Sequence, residues 1–247
     1  MRRFLISVLM LALPLAAAAQ QLTVSAAASL TDAFKDLGQK FEAAKSGVTV
    51  RYNFAASGVL IQQIAQGAPV DVFASADQET MNRGVAQKLV EPDTRRDFAA
   101  NTVVLVVPAQ GGPDLKALAD LSRPEVKRIA IGKTETVPVG RYTKQSLEAA
   151  NLWAPLQPKF VQADSVRQVL DYVARGEVEA GFVYRTDAAI MGGKVKVALT
   201  AGGHTPVTYP VAVVSESRQK ALAKEFAEYL QSPAAQDVLA RYGFAKP

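Results

Sequence analysis

Two hydrophobic rhythms alternate along this chain, and the points where one hands over to the other organise it. Leu22-Thr23-Val24-Ser25-Ala26 is a short apolar run ending in small residues. Directly afterwards Leu30, Phe34, Leu37 and Phe41 recur at spacings of four, three and four, which puts them on one face of a helix. Ser29 stands just before that pattern, where an N-cap belongs, and Asp32 three residues on has the place of a capping-box acid. A strand is therefore expected to feed a serine-capped helix N-terminus, where free backbone N–H groups meet the positive end of the helix dipole. Such a turn can bind an anion; taken alone, it reads first as an ordinary cap in an α/β unit, and its recurrence is what shifts the balance.

The same handover recurs three times. Residues 48–54 alternate as a strand and run into Ala55-Ala56-Ser57-Gly58, after which Leu60, Ile61 and Ile64 give a short helix that Gly67 stops. Gly58 lets the backbone come close to whatever occupies the turn. The third turn, Val137-Pro138-Val139-Gly140-Arg141-Tyr142, follows a strand at 129–132 and leads into another helix. It offers no hydroxyl at its tip, so the N–H groups of Val139 and Gly140 would have to be its donors. The fourth, Ala163-Asp164-Ser165-Val166-Arg167, opens a helix through Val169, Leu170 and Val173 that Gly176 closes.

Between these turns, Pro69-Val70-Asp71-Val72-Phe73 reads as a strand, with Ser75-Ala76-Asp77 opening a helix through Met81. Residues 101–108 form a near-continuous β-branched run, as expected of a strand buried on both faces. Leu115, Leu118 and Leu121 suggest a small helix. Gly181-Phe182-Val183-Tyr184 is a strand with a tyrosine at its end, and 209–214 a last buried strand. Amphipathic helices are expected over 221–230 and 234–242, with Phe226, Leu230, Val238 and Leu239 facing a core. This alternation specifies an α/β fold with mostly parallel sheets. The two buried strands flank a self-contained middle segment, so two lobes are expected, 20–100 with 215–247 and 101–214. The first two turns belong to lobe one and the other two to lobe two. All four lie at carboxyl ends of strands, where open α/β sheets bind ligands, so the cleft between the lobes is the expected site.

Composition narrows the chemistry. Met1-Arg2-Arg3, an apolar stretch over 4–15 too short to span a bilayer, and small residues at 16–19 have the form of a cleavable signal peptide. Without a cysteine at the cleavage point no lipoprotein anchor is expected, and a periplasmic location is. The formal charge of +5 falls to +3 once Arg2 and Arg3 leave, and no Lys/Arg cluster supports nucleic-acid binding. Zero cysteines exclude disulfides and thiolate metal sites, and one histidine, His204, argues against an imidazole metal site or a His-dependent catalytic centre.

Several ordered segments carry a family resemblance. Ala26-Ala27-Ala28-Ser29-Leu30, Ala56-Ser57, Gly67-Ala68-Pro69-Val70-Asp71-Val72-Phe73-Ala74-Ser75-Ala76-Asp77, Val137-Pro138-Val139-Gly140-Arg141-Tyr142, Gly181-Phe182-Val183-Tyr184, Tyr209-Pro210-Val211-Ala212-Val213 and Arg241-Tyr242-Gly243-Phe244 resemble the periplasmic molybdate-binding proteins of ABC-type uptake systems. The resemblance runs over essentially the whole chain beyond the leader. It implies a two-lobed type II periplasmic binding fold that closes on molybdate or tungstate and delivers it to a membrane permease. By motif position it places the oxyanion ligands at Ser29 and Ser57 in lobe one and at Val139, Val166 and Tyr184 in lobe two. The ion would be held through its oxygens, with no direct protein–metal ligand, no cofactor and no catalysis, by a monomer. Val139 stands where the family commonly has alanine, which keeps an N–H donor and adds methyls. Gly58 replaces a serine found in some members.

The residue types suit that cargo. A fully deprotonated tetrahedral dianion offers only acceptors, so its shell needs only donors, and none of the five positions is Lys or Arg. The rival readings are a binding protein of the same fold for sulfate, phosphate or a small carboxylate, and a secreted serine hydrolase using Ser29 or Ser57. Protonated phosphate calls for an acceptor, for which Asp164 is the candidate, and a carboxylate for an arginine clamp, for which Arg141 and Arg167 are. Neither serine lies in a G-x-S-x-G elbow. Asp71 and Asp77 read better as a strand residue and a cap than as a catalytic pair. For Tyr184 a packed ring with its hydroxyl in water is the plain alternative.

Overall fold

A computed structural model describes residues 20–247; the signal-peptide reading over 1–19 lies outside them. The first sheet has the order β2-β1-β3-β10-β4, from β1 (Gln20–Ala27), β2 (Val48–Ala55), β3 (Val72–Ala74), β4 (Arg96–Asn101) and β10 (Val207–Val213). The second has the order β7-β6-β8-β5-β9, from β5 (Val103–Pro108), β6 (Ile129–Gly132), β7 (Phe160–Ala163), β8 (Ala180–Tyr184) and β9 (Val195–Thr200). Strands β1, β2 and β3 pair in parallel, as do β6, β7 and β8. In each sheet one strand runs against the others: β10 is antiparallel to β3 and β4, and β5 to β8 and β9. These are the strands that enter directly after the chain crosses between lobes. The crossings lie at Thr102 and in the loop 201–206.

That topology corrects the lobe boundary. The buried strand near 209–214, placed in lobe two by its apolar run, pairs with β3 and β4 and lies in lobe one. Lobe one is thus 20–101 with 207–247. The apolar run at 101–108 contains the crossing itself, with Asn101 ending β4 and Val103 beginning β5. An apolar strand looks the same in sequence whichever sheet it joins; the pairing is set by where the six-residue connection 201–206 leads.

The helices are α1 (Thr31–Ala44), α2 (Ser57–Ala65), α3 (Gln78–Ala86), α4 (Pro138–Ala149), α5 (Trp153–Leu156), α6 (Val166–Ala174), α7 (Arg185–Ile190), α8 (Lys220–Tyr229) and α9 (Pro233–Arg241). Local chemistry starts several of them. Asp77 caps α3 by accepting from Thr80 N–H at 3.2 Å, and Ser165 caps α6 by accepting from Gln168 N–H at 3.2 Å. Pro138 and Pro233 stand in the first turns of α4 and α9, where no N–H is needed. The small helix expected from Leu115, Leu118 and Leu121 is a 3-10 turn at Leu118–Ser122.

The C-terminal helices seal lobe one. Phe226 of α8 meets Phe41 and Phe34 of α1 edge-on, with ring centroids 5.1 and 6.2 Å apart. Phe34 packs on Phe98 of β4 at 5.6 Å. A smaller cluster on the other face of the sheet holds Leu60, Ile61, Ile64, Phe73 and Met81 under α2 and α3. Lobe two is built on β5, whose residues Val103 to Val107 are all buried. The cores anchor α2, α4 and α6 by their apolar faces and so fix where their N-termini point. In α4 the approach to β6 is tight: a Cβ on Gly140 would meet the Gly132 carbonyl oxygen at 2.0 Å.

Candidate anion-binding site

All five residues singled out by motif line one small cavity between the lobes: Ser29, Ser57, Val139, Val166 and Tyr184. Ala27, Ala28, Ala56, Ala76, Val137 and Pro138 complete its wall, and no charged side chain lines it. Each arrives by the same construction, a strand running into a helix start. Ser57 and Val166 are the first residues of α2 and α6, and Val139 the second of α4. Their N–H groups therefore have no intrahelical partner, and the three dipoles add positive potential where they converge. Gly140, named with Val139 as a donor of the third turn, is not free: its N–H donates to Val137 O at 3.0 Å.

Ser29 departs from the expected cap. Strand β1 runs into a 3-10 turn at Ala28–Leu30, the α-helix begins only at Thr31, and no side chain caps it. Ser29 is thereby a buried turn residue, 3 % exposed, with its hydroxyl 3.1 Å from that of Tyr209. Asp32 does not reach back as a capping-box acid; it faces Arg167 of lobe two across the cleft, 2.8 Å away.

The hydroxyls are arranged to donate. Ser57 Oγ accepts from Ala76 N–H at 3.0 Å, which leaves its hydrogen for another acceptor. Tyr184 ends β8, is 1 % exposed, and donates its one hydrogen to Ala76 O over a long 3.4 Å, a weak bond that it would exchange for one to an ion. Burial pushes its phenol well above the ordinary value, so it stays an O–H donor at neutral pH. The plain alternative of a hydroxyl in water does not hold. The peptide of Ala76 thus positions two hydroxyls, one from each lobe, a role its sequence context as a helix opening did not signal.

The residues held in reserve for other ligands are occupied elsewhere. Arg141 donates to Asp77 Oδ2 from Nε at 2.8 Å and from Nη2 at 2.5 Å, and to Thr80 Oγ1 at 2.7 Å. Arg167 donates from Nε to Asp187 Oδ1 at 2.7 Å. Its contact with Asp32 is close but misaligned, an ion pair in which neither Arg167 Nη2 nor Asp32 Oδ2 gains a hydrogen bond. Both arginines therefore clamp lobe two to lobe one instead of lining the cavity. Asp164 is exposed and pairs with Lys133 at 2.5 Å, outside the wall. Asp71 accepts from Thr23 N–H and Ser217 Oγ, a tie between β1 and the segment after β10. Asp187 is fully buried, accepts also from Tyr184 N–H at 3.3 Å, and has its carboxyl pushed up to about 6 by desolvation, against the pull of Arg167.

The lobes meet at the rim. Gly58 N–H donates to Thr136 O of lobe two at 2.9 Å. A Cβ at Gly58 would fall 2.6 Å from both Thr136 Cα and O, so what comes close to this glycine is the opposite lobe. His204 sits in the second crossing, its ring nitrogens on Thr205 O and Ala201 O and its face 5.4 Å from Tyr142. It supplies no base to Ser29 or Ser57, whose hydroxyl partners are Tyr209 and Ala76. Among the described residues no cluster of His, Cys, Asp or Glu could hold a metal ion, and no helix is long and apolar enough to cross a membrane.

A family model described as bacterial extracellular solute-binding protein matches residues 22–245. The chain belongs to this family. This solute-binding protein is 40% identical over 229 residues to the molybdate-binding protein of Escherichia coli, spanning 91% of this chain and 88% of that one. The solved periplasmic molybdate-binding protein of Azotobacter vinelandii superposes with a TM-score of 0.78 at 25% identity, spanning 92% of this chain and 99% of that one. The sulfate-binding protein of Mycobacterium tuberculosis superposes with a TM-score of 0.81 at 18% identity, over 92% and 87% of the two chains. The last likeness shows the fold alone. The fold is the two-lobed type II periplasmic binding fold, in which the shape is shared and the cavity wall carries the choice of ligand.

Proposed function

We propose that this solute-binding protein captures molybdate or tungstate in the cavity between its lobes and hands the ion to an ABC-type permease. The observation that carries the reading is the wall itself: N–H and O–H groups able to donate, no carboxylate and no charge. Ser29, Ser57 and Tyr184 bring hydroxyls and Ser57, Val139 and Val166 bring helix-start N–H groups to a wall that holds no carboxylate or imidazole to receive a proton. A buried dianion is costly unless every oxygen is hydrogen-bonded. Bonds to a charged group contribute about 1.5–3 kcal/mol each, so several together can hold the ion without a countercharge.

Donors from both lobes also link binding to closure. An ion touching both lobes favours the closed state by the contacts it makes only there. The relatives named for molybdate support the choice of cargo, since the fold is shared with a protein named for sulfate. The same reading makes the protein a non-enzymatic, monomeric, periplasmic carrier that needs no cofactor and does not bind nucleic acid. Calorimetric titration of residues 20–247 with molybdate, tungstate and sulfate tests it. One ion per chain, with molybdate and tungstate together ahead of sulfate, is the expected result; no heat from molybdate overturns the reading.

A further inference from the structure

The Ser29 hydroxyl faces a choice the cavity alone does not resolve, because either it or Tyr209 can donate across their 3.1 Å contact. The answer lies further along the network, at the first crossing between the lobes. Asn101 Oδ1 accepts from Thr102 N–H at 2.9 Å. A backbone N–H can only donate, so the atom it meets is the amide oxygen and the orientation of the Asn101 side chain is fixed. Its Nδ2 then donates to Thr186 Oγ1 at 2.9 Å and to Tyr209 OH at 3.2 Å. With that lone pair of Tyr209 occupied, its hydrogen goes to Ser29 Oγ. Ser29 accepts there, and its own hydrogen is left for the cavity.

We propose that Asn101 and Tyr209 are positioning residues that fix the Ser29 hydroxyl as a donor and so set the preference for unprotonated over protonated oxyanions. The proposal rests on the oxyanion site argued above. The relay runs in one direction, from Asn101 through Tyr209 and Ser29 to the ion. Tyr209 and Ser29 are 0 % and 3 % exposed, so water does not compete for the intermediate links. Burial also holds the Tyr209 phenol well above its ordinary range, so it keeps the proton it has to donate. Asn101 ends β4 in lobe one and Thr186 lies in α7 of lobe two, so the relay is anchored where the lobes join.

Removing the relay frees the Ser29 hydroxyl to turn its lone pair toward the ion, which suits a P–OH group and not a molybdate oxygen. The test uses Tyr209→Phe, Ser29→Ala and their combination, titrated with molybdate, sulfate and phosphate at pH 8, where all three are predominantly dianions. Ser29→Ala is expected to weaken molybdate at least tenfold. Tyr209→Phe should weaken it by about two- to twelve-fold, the span of one neutral hydrogen bond. The double variant should bind no worse than Ser29→Ala, because the two residues act in series.

Tyr209→Phe should also narrow the molybdate-to-phosphate ratio while leaving the molybdate-to-sulfate ratio unchanged, an effect that mere loosening of the pocket does not give. Asn101→Asp, which replaces the Nδ2 donor by an acceptor and reverses the relay, should narrow the phosphate ratio further. Full additivity with an unmoved phosphate ratio overturns the relay and leaves the site standing. Wild-type molybdate affinity in Ser29→Ala overturns the site itself.

Discussion

Replacing Ser57 by alanine removes two bonds with separable consequences. In the protein without ligand, Ser57 Oγ accepts from Ala76 N–H at 3.0 Å, with both residues 2 % exposed or less. Alanine leaves that buried N–H without a partner, at a cost of about 1–3 kcal/mol. For a domain of this size each kcal/mol lowers the melting temperature by roughly 2–4 °C, so a loss of several degrees is expected. In the complex, one oxygen of a dianion loses its donor, a further ~1.5–3 kcal/mol. At 1.4 kcal/mol per factor of ten, that is about 10- to 150-fold in Kd. Differential scanning calorimetry of the ligand-free variant reads the first effect and isothermal titration with molybdate the second. A lowered melting temperature with wild-type affinity would mean that the hydroxyl only tethers Ala76, and the reasoning that its hydrogen faces the ion would be refuted.

Tyr184→Phe should separate the same effects differently. Its hydroxyl has only the 3.4 Å bond to Ala76 O, so thermal stability should hold while molybdate affinity falls about 10-fold or more; a large stability loss with unchanged affinity would reverse its assigned role. Gly58→Ala places a methyl 2.6 Å from the backbone of Thr136, so small-angle scattering should show less compaction on adding molybdate and titration a weaker Kd, whereas wild-type compaction would show that the lobes yield at this contact. Asp187, with its carboxyl raised from 3.8 to about 6, binds more protons folded than unfolded between those values. The linkage sign then makes its contribution to stability fall as pH rises through that window, by about 3 kcal/mol at 1.36 kcal/mol per unit. Asp187→Asn should flatten that slope in urea unfolding at pH 4 and pH 7, and an unchanged slope would contradict the assignment.

The elements legible in the sequence were those whose burial leaves a pattern. The run at 101–108 and the face Leu30, Phe34, Leu37, Phe41 announced β5 and α1 because their side chains point into cores. Strands β4, β7 and β9 went unread, and each is an edge strand. Arg96-Asp97-Phe98-Ala99-Ala100-Asn101 carries charge and amide because no strand pairs along the outer side of β4, where only Ala245 bridges to Ala100, so no apolar run betrays it. Helix α7 has six residues, too few for a helical period to show.

At the site, the strand-to-helix turns were readable because capping and backbone donors are local matters. The partner of Ser29 was not: Tyr209 is 180 positions away. For the same reason the sequence left Arg141 and Arg167 open as ligand clamps. Only the fold brings Asp77 to one and Asp187 to the other, and so removes both from the cavity.

The central claim is that the cavity selects by presenting donors to the ion, with no carboxylate to accept a proton from it. Competition titration at pH 7, with phosphate added to the molybdate-loaded protein, tests it most directly. Molybdate carries no proton there and phosphate carries at least one, which in this cavity would set a donor hydrogen against a donor hydrogen. Buried polar mismatch rejects a near-isostere far better than packing does, and sulfate, unprotonated but smaller, should fall between the two. The account predicts that molybdate stays bound under a large excess of phosphate. Displacement of molybdate by phosphate at comparable concentration would contradict it.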